Sequence, residues 1–420
     1  MHAFFIKIAG DFMIKKLTFR QFLFLVPLLI IIAVFSIWPI LTSFTYSFFD
    51  YQLNNIQKSQ LSFSGTFSKK QFEENSEYVK LFLSDDANAA AGNAKAEQAF
   101  QEALADAENY CETFSGFPSG KISASQSKEF TNSTEALRLK VKQLYLNFPN
   151  EKYANQESLP MIFEELNKAI SPSNFTGLSG YRMIFGDQRL FDALGHTVYF
   201  TLISVAIEFL LGLGLALIMN KAVRGIGLIR AGALIPWAIP TAVSALMWSY
   251  LYDGSNGIIA HIFAELGLIS SSETMLLTGP GAMWAAILTD VWKTTPYMAL
   301  LLLAGLQVID KGLYESSAID GANRIQTFFK ITLPLLKPSI LVAVLFRTLD
   351  AFRVYDLIAV LTGGGPGGAT ETLSVYAYKT MFSQMNFGYG SVIVMFMFVC
   401  VLIIATLFIK VLGANVMTSD

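Results

Sequence analysis

Four charged residues spaced three apart, Arg347, Asp350, Arg353 and Asp356, stand in an otherwise apolar stretch at 339–361. On a helix, positions three apart are neighbours, so each charge has an opposite one a turn away. Charges in a hydrocarbon surround are costly; they face a bundle interior or water and often mark a pathway. Two readings stay open. The pairs can neutralise one another and hold helices together, or they can form a polar wall whose Arg donors and Asp acceptors bind a hydroxyl-rich solute. The second is favoured, because apolar spans alone need no polar stripe. Trp248, Tyr250 and Tyr252 can stack on the rings of such a solute, and the same residue types suit a membrane–water interface. Asp290 and Lys293, one turn apart, read as a structural pair, and Glu208 and His196 as contacts between helices.

Other chemistry is missing from the pattern. His2, His196 and His261 are scattered and lack cysteine company, so no metal set has the right spacing. Cys111 and Cys400 make no disulfide framework, and Cys400 lies in an apolar run. No stretch reads G-x-x-x-x-G-K-[ST]. The run Gly363-Gly364-Gly365-Pro366-Gly367-Gly368 lacks a following Lys-Ser/Thr and reads as a flexible turn. No nucleophile, base and orienter stand together, which argues against an enzyme.

The elements that must carry these residues are membrane spans. The chain of 420 residues is 53% hydrophobic and 15% charged, where a soluble domain has roughly 25% charged residues. Its net charge of −2 gives no footing for nucleic acid. A span needs about 20 apolar residues, and six segments qualify: 21–49, 193–220, 231–252, 283–306, 339–361 and 381–409. Lys7, Lys15, Lys16 and Arg20 precede the first. With no small-residue cleavage site after it, it reads as a retained anchor. Lys221, Arg224 and Arg230 fill the second connection; Lys311, Arg324, Lys330 and Lys337 fill the fourth; Lys410 follows the last span. The segments 253–280 and 362–380 hold one basic residue, Lys379. This alternation places both termini in the cytoplasm and works only with six spans.

Between the first two spans lies a long polar stretch, which this topology puts outside the cytoplasm. Apolar residues at helical spacing predict helices over 85–114, 133–148 and 159–170. The stretch is either a mobile surface insert or a small helical domain that helps dock an extracytoplasmic partner. Three domains are therefore expected. These are 1–50, the N-terminus and first span; 51–190, the insert; and 191–420, the core, with a cytoplasmic loop at 308–333.

That loop is the most specific segment: YESSAIDGANRIQTFFKITLPLLKP, from Tyr314 to Pro338. It reads as helix, a sharp turn at Gly321 and helix again, with Pro334 near the start of the fifth span, where its missing N–H does little harm. Such a helix–turn–helix can fill a groove on a partner and pass that partner's motion to both attached spans. It resembles the E-A-A, three residues, G, nine residues, I-x-L-P loop of binding-protein-dependent import permeases. Glu315 matches; Ser316 and Ser317 replace the two alanines; Gly321, Ile331, Leu333 and Pro334 fall at the fixed positions. The segments from Val26, Phe175, Ile235 and Arg347 are also similar to sugar permeases of the maltose, trehalose and glycerol-phosphate type. The likeness leaves out roughly 56–174.

The resemblance implies an all-α membrane protein with the type I importer permease fold: six transmembrane helices and a largely helical insert between the first and second. It implies that Glu315, Ala318, Asp320, Gly321 and Ala322 couple to an ATPase subunit. It places Arg347, Asp350, Arg353, Asp356, Trp248 and Tyr252 on the substrate path, and the Gly-rich turn where a binding protein delivers sugar. The implied partners are a second permease subunit, an ATP-binding subunit dimer, an extracytoplasmic sugar-binding protein, a sugar such as trehalose or maltose, and the lipid of a bacterial cytoplasmic membrane. No cofactor is expected on this chain, since ATP and Mg belong to the partner subunits. The rival readings are an ion-coupled secondary transporter, which shows no internal inverted repeat here, and an importer permease for a non-sugar solute.

Overall fold

The structure, a computed structural model, describes residues 19–149, 153–221 and 225–416. Lys7, Lys15, Lys16 and Arg224 of the charge pattern lie outside the described residues. The first apolar run forms α1 (Phe19–Ile32) and α2 (Trp38–Tyr46), joined through one wide helical turn at Ala33–Ile37. Its apolar side chains face outward, as expected for a helix surrounded by lipid.

The insert follows as a unit with its own core. Strands β1 (Gly65–Phe67), β2 (Gly120–Ile122) and β3 (Ile170–Ser171) form a small antiparallel sheet in the order β2-β1-β3. Helices α3 (Lys69–Ala89), α4 (Ala94–Ser115), α5 (Ala124–Asn147) and α6 (Ser158–Asn167) pack on it. Phe67, Phe72, Phe114 and Phe130 meet ring to ring at the centre. The stretch at 85–114, expected as one helix, is the end of α3 and most of α4, because the Asn93 side chain accepts from the Ala96 amide and starts a new helix. The insert's two ends return side by side. Phe49 pairs with Phe175, and the Asp50 amide donates to the Asn174 carbonyl at 2.8 Å.

The bundle resumes at α7 (Gln188–Met219), started by Asp187, whose carboxylate accepts from the Leu190 amide. It packs against α10 (Gly279–Val308), a long helix rich in buried small residues such as Ala282, Ala285, Ala286 and Ala299. Small residues let helix backbones approach closely in a membrane. The helix α12 (Leu333–Phe352) completes this inner layer, and α14 (Phe387–Val416) packs on its other side.

Two expected spans are broken. The third is α8 (Ile226–Ala238) and α9 (Thr241–Leu251), which meet at 88°. Pro240 offers no N–H to continue the helix, and Ile239 before it is extended, with ψ 135°. The fifth ends at Phe352; Arg353–Tyr355 turn the chain, and α13 (Asp356–Leu361) begins anew. The Thr372 hydroxyl donates to the Val354 carbonyl freed by the break. Among the described residues four helices, the one ending at Phe352 included, are long and apolar enough to cross a membrane. Six spans result if two bent pairs, α8 with α9 and α10 with Lys311–Ile319 (68°), each cross once.

Candidate functional site

Breaking the fifth span dissolves the single stripe of charge. Arg347 turns into the bundle and is 1% exposed, whereas Asp350, Arg353 and Asp356 open to one side. Inside, the Arg347 guanidinium grips the Glu208 carboxylate of α7 with two bonds, Nε to Oε2 at 2.5 Å and Nη2 to Oε1 at 3.0 Å. Nη2 also meets Asp290 of α10, and Nη1 reaches Asp350 at 3.3 Å. Thr294 donates to Glu208 Oε1 at 2.7 Å. Three helices are thus tied at one point by charge-assisted, geometrically matched bonds. Arg353 reaches back to Asp350 at 3.5 Å on the exposed side.

Two readings from the sequence change. Asp290 pairs with Arg347 rather than with Lys293, whose ammonium donates to the carbonyls of Trp237 and Ile239 at 3.3 and 2.9 Å. Glu208, read only as a contact, is fully buried at the heart of the ionic cluster. Its pairing with a residue 139 positions away leaves no local pattern, although a lone carboxylate in an apolar span was itself a signal.

Next to the cluster lies an open cleft of about 300 Å³. Asp350, Arg353, Asp356, Lys293, Tyr355 and Trp237 line it, with Asp290 and Arg347 at its floor. Trp237 stacks on Tyr297 with ring centres 5.8 Å apart and planes 13° from parallel. An aromatic face beside Asp acceptors and Arg donors suits a polyhydroxylated solute, whose ring faces are apolar and whose edges carry hydroxyls. Trp248 and Tyr252 do not line this cleft. Tyr252 is fully buried, with its hydroxyl 3.4 Å from that of Thr289, and Trp248 packs between Tyr252 and Trp292.

At the end of the bundle opposite the insert, α11 (Lys311–Ile319) leads into the sharp turn. The Gly321 amide donates to the Ala318 carbonyl and the Ala322 amide to the Ser317 carbonyl, closing the helix with a paired C-terminal cap. That cap needs a left-handed residue, and Gly321 has φ +77°. Asn323 and Gln326 then cap the next turn reciprocally. Ser317, at the second of the two Ser-for-Ala positions, is buried between the two short helices, 3.5 Å from the Thr327 hydroxyl. Glu315, Ala318, Asp320 and Gly321 are exposed and Ala322 half-buried, while Ile319 (86% exposed), Ile325 and Phe329 stand out as an apolar knob.

At the insert end, the Gly-rich turn is pinned rather than loose. The Thr362 and Thr370 hydroxyls meet at 2.7 Å, and Thr370 also donates to the Gly365 carbonyl. Four of its glycines, Gly363, Gly364, Gly367 and Gly368, take positive φ, so their freedom serves a fixed shape. The turn is anchored through Glu371, which accepts two bonds from Arg189 (2.7 and 2.9 Å) and one from Lys379 (2.9 Å). Burial works against ionisation of Glu371, but these hydrogen bonds outweigh it and hold its carboxyl below the usual range. His196 Nδ1 lies 3.2 Å from the Glu371 carbonyl.

Residues 208–417 match the family described as binding-protein-dependent transport system inner membrane component. The trehalose/maltose transport system permease protein MalF of Thermococcus litoralis is 46% identical over 237 residues, covering 56% of this chain and 79% of that protein. The trehalose transport system permease protein SugA of Mycobacterium tuberculosis is 41% identical over 250 residues, covering 59% and 79%. Both shares show that this chain carries sequence that these relatives lack. Among solved structures, a chain of a bacterial ABC transporter involved in the import of the acidic polysaccharide alginate aligns with a TM-score of 0.52 and 21% identity. The alignment covers 67% of this chain and 94% of that one and shows a shared fold.

Proposed function

Because the chain belongs to the family of binding-protein-dependent transport system inner membrane components, we propose that it is a permease subunit of an ATP-driven disaccharide importer. The observation that carries this reading is the charged cleft beside the Arg347 cluster, within an otherwise apolar bundle. Trehalose and maltose fit the cleft's chemistry, and trehalose appears in the names of both relatives. One chain leaves the cleft open on a side, which suits a second permease as the opposite wall. Both termini face the cytoplasm in this reading, and the insert faces away from it.

The mechanism is alternating access. A loaded binding protein docks at the end that carries the insert and the Glu371-anchored turn. An ATP-binding subunit dimer docks at the other end, where Ile319, Ile325 and Phe329 enter a groove on it. Two capped helices around Gly321 form a stiff lever, continuous with α12 through the turn Phe328–Thr332. Closure of the ATPase dimer therefore moves α12 and the charges it carries. Asp350 and Arg353 accept and donate to solute hydroxyls, while Arg347, held by Glu208 and Asp290, keeps their helix in place.

Affinity capture of the tagged chain from native membranes, followed by reconstitution of what comes with it, tests this. The expected result is a second multi-span permease and a nucleotide-binding subunit, with ATP-dependent disaccharide uptake once the binding protein is added. Recovery of the chain alone, moving solute along an H⁺ or Na⁺ gradient without ATP, would overturn the proposal.

A further inference from the structure

The 88° elbow between α8 and α9 creates a local problem. A helix that ends leaves its last carbonyls without partners. Pro240 has no N–H to continue the ladder, and the sharp elbow leaves the carbonyls at the end of α8 in need of a donor from elsewhere. Lys293 answers this from the neighbouring helix α10, donating to the Ile239 carbonyl at 2.9 Å and to the Trp237 carbonyl at 3.3 Å. A cation there also meets the negative end of the α8 dipole. The residue whose backbone it holds, Trp237, presents its ring to the cleft, stacked on Tyr297, four positions after Lys293.

We propose that Lys293 is a positioning residue that locks the elbow at Ile239–Pro240, so that Trp237 stands at the cleft and solute affinity is set there. The affinity part rests on the solute-path reading of the cleft. Lys293 shares the cleft wall with Asp350 and Arg353, but its effect runs through the elbow. Removing its donors frees the α8 carbonyls and lets the elbow open, with the charged cluster at Arg347 left intact.

The test compares Lys293→Met, Lys293→Gln and Lys293→Arg in the assembled complex in lipid nanodiscs and vesicles. Two quantities are read: amide hydrogen exchange of the peptide at 232–246, and the KM and maximal rate of disaccharide uptake. Lys293→Met is expected to speed exchange there about tenfold, with α7 and α12 unchanged. KM should rise about tenfold while the maximal rate changes less than about threefold. Lys293→Arg, which keeps a charged donor, should restore both. Unchanged exchange in Lys293→Met overturns the proposal. So does a raised KM with unchanged exchange, which would make Lys293 a direct solute ligand. If Lys293→Met fails to reach the membrane, the same criteria apply to Lys293→Gln. If the wild-type complex takes up no disaccharide, the solute-path reading falls and the affinity part with it, while the exchange comparison still decides the elbow.

Discussion

Three carboxylates converge on the Arg347 guanidinium, two of them buried and one open to the cleft. Removing one partner of a buried ion pair is far costlier than removing an exposed one, because it strands uncompensated charge out of water. Arg347→Met should therefore destabilise the chain by about 3–5 kcal/mol, read as a fall in the unfolding temperature of the detergent-solubilised protein. Asp350→Ala should cost under about 1 kcal/mol, since its side chain is 56% exposed, yet lower disaccharide uptake without loss of complex assembly. Uptake equal to wild type would make the exposed charges purely structural. The four charges were legible as special from their setting in an apolar run. Their division of labour was not, because it depends on a helix break at 353–355 and on partners in α7 and α10 that are distant in sequence.

At the scale of elements, terminations decide what each helix can do. The cap at Gly321 requires a positive φ, and a side chain there meets open space, so strain comes from the backbone alone. On the proposed docking of this lever to an ATPase subunit, Gly321→Val should leave membrane insertion intact and cut ATP-linked uptake roughly tenfold, because the strained turn tilts the lever. Normal coupling between ATP hydrolysis and uptake in that variant would remove Gly321 from the lever. The anchored turn carries a pH dependence. The folded pKa of Glu371 lies below its ordinary value, so its stabilisation is present above about pH 4.5 and fades as pH falls through the lower folded value. Glu371→Gln should flatten that acid limb of the melting temperature, measured from about pH 6 to 3. The apolar runs and the loop spacing made most helices readable in advance. Pro240 was the visible sign of the broken third span, and the reading of 231–252 as one helix passed over it. Nothing local marked the break after Phe352, where the Val354 carbonyl is satisfied by Thr372, 18 positions on.

At the scale of the whole molecule, two bodies of different character share one chain. The bundle exposes Leu, Ile, Phe and Val to its surroundings, whereas the insert buries an aromatic centre of its own. The insert core includes Phe67, Leu83, Phe100, Phe130, Leu159 and Leu166, and none of these packs in the bundle's clusters. A fragment covering 62–175 should therefore fold alone, melting cooperatively with helical circular dichroism; a non-cooperative, molten profile would show that it needs the bundle. Helical periodicity revealed α4, α6 and the second half of α5, but not most of α3, and not the sheet. Strands of two or three residues leave no period to read, and they pair across more than fifty positions.

The neighbouring stems at Phe49 and Phe175 bear on how such a chain tolerates growth. Closing a disordered loop carries an entropy cost that rises with its length, though only logarithmically. A folded unit whose own ends already lie side by side removes even that dependence, because the distance to be bridged is set by its surface and not by the number of residues within. The permease core is thus blind to the size of what hangs from this hairpin-like neck. Lengthening, shortening or exchanging the appendage leaves the helices beneath it in register, and a foreign domain with adjacent termini can be grafted at the same neck as a tether or reporter.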